Sequence, residues 1–274
     1  GYMELLAPLP LALVMYRGVR REQAGLFLFM ALVMMVSVAL SLSRAGLVVL
    51  LLQLLLLGSM ALAGGSRGEG RCWHALLFVL PALGGLGLWL GGPALIQRLG
   101  TLLRFPAETS LTVRLQVDRD AMAMLRAYPL WGSGLATFGA VYPRFKSFDD
   151  GLFWDHAHND LAELLVEMGI PGALCLLVFL AGLGLLARHV AAGSSRQDSG
   201  RRQRPRGNPM RPGSLEDNRR RAVVAGIFAG CVGVLVHALV EFHFHIPATA
   251  LTFAILYGVG LALVRAPVPA RQDR

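Results

Sequence analysis

Apolar residues along this chain gather into blocks, and the blocks predict its outline. A helix needs about 18 to 20 predominantly apolar residues to cross ~30 Å of hydrocarbon. Seven segments meet or approach that pattern. The first, Met3–Tyr16, is short and predicts the remnant of a longer helix. Ala24–Leu42 and Ala45–Ala63 form a hairpin around Ser41-Leu42-Ser43-Arg44, and Ala75–Gly91 follows, glycine-rich and interrupted by Pro81. Ile170–Ala187 carries Pro171 in its first turn, where the missing N–H is no loss. Ala222–Val240 and Ile246–Val264 form a last hairpin around Glu241-Phe242-His243-Phe244-His245.

Between the fourth and fifth segments runs a polar stretch from Gly92 to about Met168. Within it Ser110–Tyr128 has helical periodicity: Leu111, Leu115, Ala121, Met122 and Leu125 fall on or near one face, with Arg114, Asp118, Arg119 and Arg126 elsewhere. Thr109 or Ser110 can cap its start. Pro129 ends it and Gly132-Ser133-Gly134 makes a tight turn. This pattern predicts an amphipathic helix along the membrane surface. The expected fold is therefore all-α, a polytopic membrane helix bundle of about seven spans with one long external loop carrying an amphipathic helix. Four regions follow: N-terminal spans (1–91), an external loop with the active-site segment (92–168), C-terminal spans (169–264) and a cytoplasmic tail (265–274). A disordered Arg-rich cytoplasmic loop (188–221) interrupts the third, its Ser194–Pro212 part rich in Arg, Ser, Gly and Pro.

At 55% hydrophobic residues in 274, an ordinary soluble domain is excluded. The net charge of +9 is a topology signal rather than a nucleic-acid one. Eighteen of the 26 Lys and Arg fall in one set of loops and the tail, including ten arginines from Arg188 to Arg221. The opposite set carries eight, seven of them in the single long loop. The richer set is expected to face the cytoplasm, which puts the N-terminus outside and the C-terminus inside. Cys72, Cys175 and Cys231 lie too far apart for a metal-ligand spacing and imply no disulfide. Gly226-x-x-x-Gly230 is read as a close helix contact.

The chemistry is expected on the outer face, in Asp155–Gly172 (DHAHNDLAELLVEMGIPG). A neutral imidazole takes a proton near pH 7 without prior tuning, so His158 is the candidate general base. If Asp155–Met168 is helical, His156, Asp160, Glu163 and Glu167 make one polar stripe and His158, Leu161, Ala162 and Leu165 its neighbour. Arg44, at an apolar hairpin tip, is a candidate phosphate clamp, because a guanidinium meets phosphate oxygens as a charge-assisted fork. Five of the seven histidines (His156, His158, His237, His243, His245) fall on this face, yet their spacing with Asp and Glu matches no standard metal motif. No metal and no cofactor is expected.

These residues resemble a known family. His158-Asn159, nine residues, then Gly169-Ile170-Pro171-Gly172 is similar to the His-Asn-x9-Gly-x-x-Gly pattern of the O-antigen ligase and O-antigen polymerase superfamily. Arg114, Met124, Pro129-Leu130, Gly132-Ser133-Gly134, Phe138 and Tyr142-Pro143 resemble its external loop, and Ser43-Arg44 its Ser-Arg element. The similarity runs roughly from Leu26 to Val264. It implies a multi-span glycosyltransferase of the bacterial inner membrane, working at the periplasmic face on an undecaprenyl-pyrophosphate-linked glycan. The acceptor would be a glycan, lipid A core or protein hydroxyl. It further implies His158 as the base for that hydroxyl and Arg44 and Arg114 as holders of pyrophosphate. His156, Asn159, Arg119, Arg126, Tyr142 and Glu241 are expected to contact substrate. Members of the family commonly have ten to twelve spans, so several N-terminal helices are expected to be missing here, and the long Arg-rich insert departs from the family's form. Membrane lipids are expected partners and nucleic acid is not. Two other classes remain open on the residues: a transporter or flippase of the same lipid carrier, and a metal-dependent membrane hydrolase. The near absence of charge within the spans disfavours the transporter.

Overall fold

The computed structural model describes residues 1–63, 100, 109–202 and 215–266. In chain order its helices are α1 (Tyr2–Leu6), α2 (Pro8–Met15), α3 (Arg21–Leu40), α4 (Arg44–Ala63), α5 (Thr109–Ala127), α6 (Phe138–Val141), α7 (Asp160–Arg202), α8 (Leu215–His237) and α9 (Pro247–Arg265). A 3-10 turn, Tyr142–Arg144, follows α6, and there is no strand among the described residues. Helices α3, α4, α7, α8 and α9 are long and apolar enough to span a membrane. The expected span Ala75–Gly91 lies outside the described residues.

The bundle is organised around α8, which packs against α1, α2, α4, α7 and α9. Lipid tails are as apolar as leucine, so helices in a membrane gain by close packing of small residues rather than by burial from water. Helix α8 supplies such residues: Ala222, Ala225, Gly226, Ala229, Gly230 and Gly233 are all buried. A Cβ on Gly226 would lie 2.8 Å from Cα of Leu9, and one on Gly230 would lie 2.4 Å from the carbonyl oxygen of Leu5. The Gly-x-x-x-Gly pair thus admits α1 and α2 to the centre. With Ala7 between them, Tyr2–Met15 extends only about 21 Å, and it lies in the interior, with Leu5, Leu11, Ala12 and Met15 almost wholly buried. Gln53 of α4 reaches the same place, its amide donating to Glu4 O (2.9 Å) and Ala229 O (3.3 Å).

The two ends of the bundle differ in chemistry. At one end Arg219 donates to Gly18 O (3.2 Å) and Arg220 donates to the carbonyls of Leu263 and Ala266. These bonds gather the α2–α3 connection, the start of α8 and the end of α9, with Arg17, Arg20, Arg21, Arg221 and Arg265 in the same segments. The other end carries the α3–α4 tip, residues 128–159 and the α8–α9 connection. Helix α7 runs on through Arg202, beyond the boundary expected at Ala187. The rest of the Arg-rich stretch, residues 203–214, lies outside the described residues.

Part of the apolar face of α5 packs on protein: Val117, Ala121 and Met124 are fully buried against Phe138, Tyr142, Ala157 and Val166, while Leu115 on the same helix is 50% exposed. Helix α7 is broken at Gly169 (φ 58°, ψ −133°), so Asp160–Met168 is an arm separate from the span that the sequence starts at Ile170. The break frees carbonyls that other backbone must satisfy. Ser133 N donates to Val166 O (3.0 Å), Gly134 N to Glu167 O (3.0 Å), and Ile170 N to Leu130 O (3.1 Å). A Cβ on Gly132 would meet the Glu167 carbonyl at 2.2 Å, and one on Gly169 would meet Gly132 N at 2.6 Å. The Gly-Ser-Gly turn and the Gly-x-x-Gly element are two halves of one joint.

Replacing Gly230 with leucine is expected to lower the thermal midpoint in detergent, since overpacking costs ~1–3 kcal/mol. Gly184, whose Cβ would meet nothing within 4 Å, should accept alanine with no loss. Equal effects of the two substitutions would contradict the packing described for α8.

Candidate active site

The arm Asp160–Met168 starts where a side chain can cap it. Ala162 N donates to Asn159 Oδ1 (3.1 Å), so Asn159 is the N-cap. The helix therefore begins at Asp160, not at Asp155 as the periodicity suggests, and His158 precedes it in a left-handed backbone conformation (φ 53°). Such a conformation is uncommon outside glycine and recurs where structure is held for function. Asn159, expected to contact substrate, uses its Oδ1 for the cap and donates from Nδ2 to Asp118 Oδ1 (3.2 Å).

Three carboxylates at the start of α7 are buried, and each fastens a loop. Glu167 accepts from the backbone N–H groups of Ala136 and Phe138, both at 2.9 Å. Glu163 accepts from Ala157 N (2.8 Å) and lies 2.8 Å from His156 Nδ1. Asp160 accepts from Phe244 N (2.9 Å) and lies 2.9 Å from His245 Nδ1. His245 Nε2 is also 3.1 Å from Glu163. With Asp160 at one ring nitrogen and Glu163 at the other, the pKa of His245 is pushed up to about 10. His245 is therefore a charged clamp holding the α8–α9 connection to α7.

The same connection delivers the central contact. Arg114, on α5, donates from Nη1 to Val240 O (2.6 Å) and from Nη2 to Glu241 Oε1 (2.8 Å). The other oxygen of Glu241 lies 3.4 Å from His158 Nδ1. A carboxylate only accepts, so Nδ1 carries the proton and Nε2 keeps its lone pair. Burial raises the acid's pKa, but the His158 hydrogen bond and the Arg114 charge outweigh it and hold Glu241 down at about 2. Trp154 and Phe242 pack edge-to-face on the imidazole, with centroids at 5.5 and 4.9 Å. His156 stacks on the same Phe242 at 5.0 Å.

Three of the sequence-chosen residues thus meet: His158, Arg114 and Glu241. Arg44 joins the same end from another hairpin. Ser43 Oγ caps α4 by accepting from Gly46 N (3.1 Å), and a Cβ on Gly46 would lie 2.9 Å from Glu4 Oε1. Glu4 in turn lies 2.7 Å from His237 Nδ1, and His237 packs on His243. Arg119 and Arg126 lie on the exposed side of α5. Tyr142 points inward, fully buried, its hydroxyl donating to Asp120 Oδ2 (3.3 Å).

Sequence reasoning missed Glu4, Asp120 and the His245 clamp. Glu4 had a signal, a lone acid in an apolar segment. The others did not: Asp120 meets Tyr142 and Ser147, and His245 meets Asp160, all more than twenty residues away. Among the described residues two groups bring one ligand atom per residue within 4.8 Å of the others: Glu4, His237 and His243, and His156, Glu163 and His245. In the second, both His245 nitrogens face carboxylates, which suits an imidazolium better than a metal ligand.

The raised pKa of His245 gives a signed expectation. The clamp's stabilisation is complete below the imidazole's ordinary value near 6.5 and is lost as pH rises to about 10. The midpoint of the wild type should therefore fall across that range more than that of His245→Gln. Parallel curves for the two proteins would contradict the clamp.

Comparison with known proteins matches residues 26–177, more than half of the chain, to the family described as O-antigen ligase. No curated protein and no solved structure gives a match. The matched span contains Arg44, Arg114, His158 and Asn159, the residues gathered at one end of the bundle. This chain belongs to the O-antigen ligase family, multi-pass membrane proteins of glycan transfer.

Proposed function

We propose that the protein transfers or polymerises glycan from an undecaprenyl-pyrophosphate-linked donor onto an acceptor hydroxyl, at the periplasmic face of the bacterial inner membrane. One observation carries this reading: a histidine and an arginine from distant segments share one carboxylate, Glu241, at the end of the bundle opposite Arg17, Arg219 and Arg220. That separation of charge supports an external site by the positive-inside rule.

In the proposed reaction His158 Nε2 takes the proton of the acceptor hydroxyl. The oxygen attacks the anomeric carbon of the donor, and the bond from that carbon to pyrophosphate breaks. Pyrophosphate is already a good leaving group, so no metal, ATP or covalent intermediate is needed. Arg114 and Arg44 hold the charge that grows on the leaving phosphate. Glu241 acts as a positioning residue: it fixes the His158 tautomer, supports the imidazolium formed and keeps Arg114 in place. The remaining N–H groups of Arg114 are directed to the substrate. Exposed Arg119 and Arg126 extend the cationic surface of α5, and Asn159 and Tyr142 support the walls of the site rather than touching sugar.

A placed base contributes about 10²- to 10⁴-fold in rate, so His158→Ala should lose transfer by that factor while the protein still inserts and folds. Arg114→Lys loses the forked geometry, and with it a charged hydrogen bond worth about 1.5–3 kcal/mol, roughly ten- to a hundredfold. Purified protein given a synthetic undecaprenyl-pyrophosphate oligosaccharide is the assay. Growth of the lipid-linked chain identifies a polymerase, and transfer only to lipid A core or protein identifies a ligase. Full transfer by His158→Ala would reject the base assignment.

A further inference from the structure

The residues after α5 add an exposed apolar surface to the external unit. Leu130, Trp131 and Leu135 are exposed, Trp131 by 78% and Leu135 by 69%. Water-facing loops seldom present three large apolar side chains within six residues. Their height relative to the bundle is fixed by the joint at Gly169. The carbonyl of Leu130 accepts from Ile170 N, so Leu130 is level with the first residue of the α7 span. Ile170, Leu174, Leu177 and Val178 then follow as exposed apolar residues along that span. One helical turn rises only about 5.4 Å, so the loop lies within about a turn of the lipid-facing surface. Leu135 borders a cavity of about 370 Å³ that runs from the arm (Leu161, Leu164, Glu167) down to Cys175 and Phe179 of the α7 span.

We propose that the loop Pro129–Ala136 dips into the outer headgroup and acyl boundary of the bilayer, with Trp131 and Leu135 as its membrane-inserted side chains. Indole is suited to that zone, being apolar in body with a polar N–H. The backbone bonds from Ser133 and Gly134 to Val166 and Glu167 make the loop rigid. Glu167 also holds Ala136 and Phe138, so a bilayer contact at Trp131 fixes the height of the arm that follows His158. The inference rests on the apolar helices being membrane spans and not on the catalytic roles given above.

The test uses full-length protein with its three cysteines replaced by alanine, one copy per lipid nanodisc. A nitroxide is attached at Trp131→Cys, at Leu135→Cys, at Leu177→Cys on the exposed face of the span, and at Arg119→Cys on exposed α5. Power-saturation spectroscopy compares collisions with oxygen, which concentrates in lipid, and with a water-soluble nickel chelate. The labels at 131 and 135 should favour oxygen over nickel, as the one at 177 does, with the one at 119 reversed. Labels at 131 and 135 as open to nickel as that at 119 would overturn the proposal, leaving the loop for a protein or glycan partner. Melting curves matching the cysteine-free parent establish that the labelled proteins are folded, and the readout is independent of transfer activity.

Discussion

The polar end of this protein depends on a carboxylate with two oxygens and two cationic or proton-bearing neighbours. Glu241 sits on the short α8–α9 connection, yet it joins α5 through Arg114 and the start of α7 through His158. A half-buried acid with one partner removed would leave a charge poorly solvated, which costs more than the pair gains. The three segments are therefore mutually dependent. Glu241 also selects which imidazole nitrogen faces outward, so the same contact that holds the fold determines which atom is free to take a proton.

Around this bridge the first two turns of α7 act as an anchor. Asp160, Glu163 and Glu167 lie on one face of a short arm, and each binds a different loop through backbone N–H groups or imidazoles. The arm can stand off from the span because Gly169 breaks the helix, and the turn at Gly132–Gly134 satisfies the carbonyls that the break releases. Glycine at these positions is a steric requirement on two facing backbones. Histidine in a left-handed conformation just before the N-cap is then a consequence of where the arm must start.

Much of this was legible in the chain. The apolar cores of α3, α4, α8 and α9 followed from hydrophobic length, and Gly226-x-x-x-Gly230 announced a close helix contact. The segment around His158 and the arginines at positions 44 and 114 were found by chemistry and by resemblance. What was not legible depended on contacts across the fold. The amphipathic pattern of α5 is the same whether its apolar face meets lipid or Phe138 and Tyr142, so periodicity did not reveal its packing on Phe138 and Tyr142. The helical phase of Asp155–Met168 looked continuous because Asn159 was not recognised as a cap. Tyr142 was expected to contact substrate, and nothing nearby in sequence reveals its hydroxyl bond to Asp120.

The most direct measurement is the pH dependence of glycan transfer by the wild type and by Glu241→Gln, with donor saturating. If the carboxylate supports the imidazolium of His158, its loss lowers the proton affinity of that ring. The acid limb of the variant should then move to lower pH, with a reduced plateau rate. Superimposable profiles would contradict the bridge as the organising contact of the site.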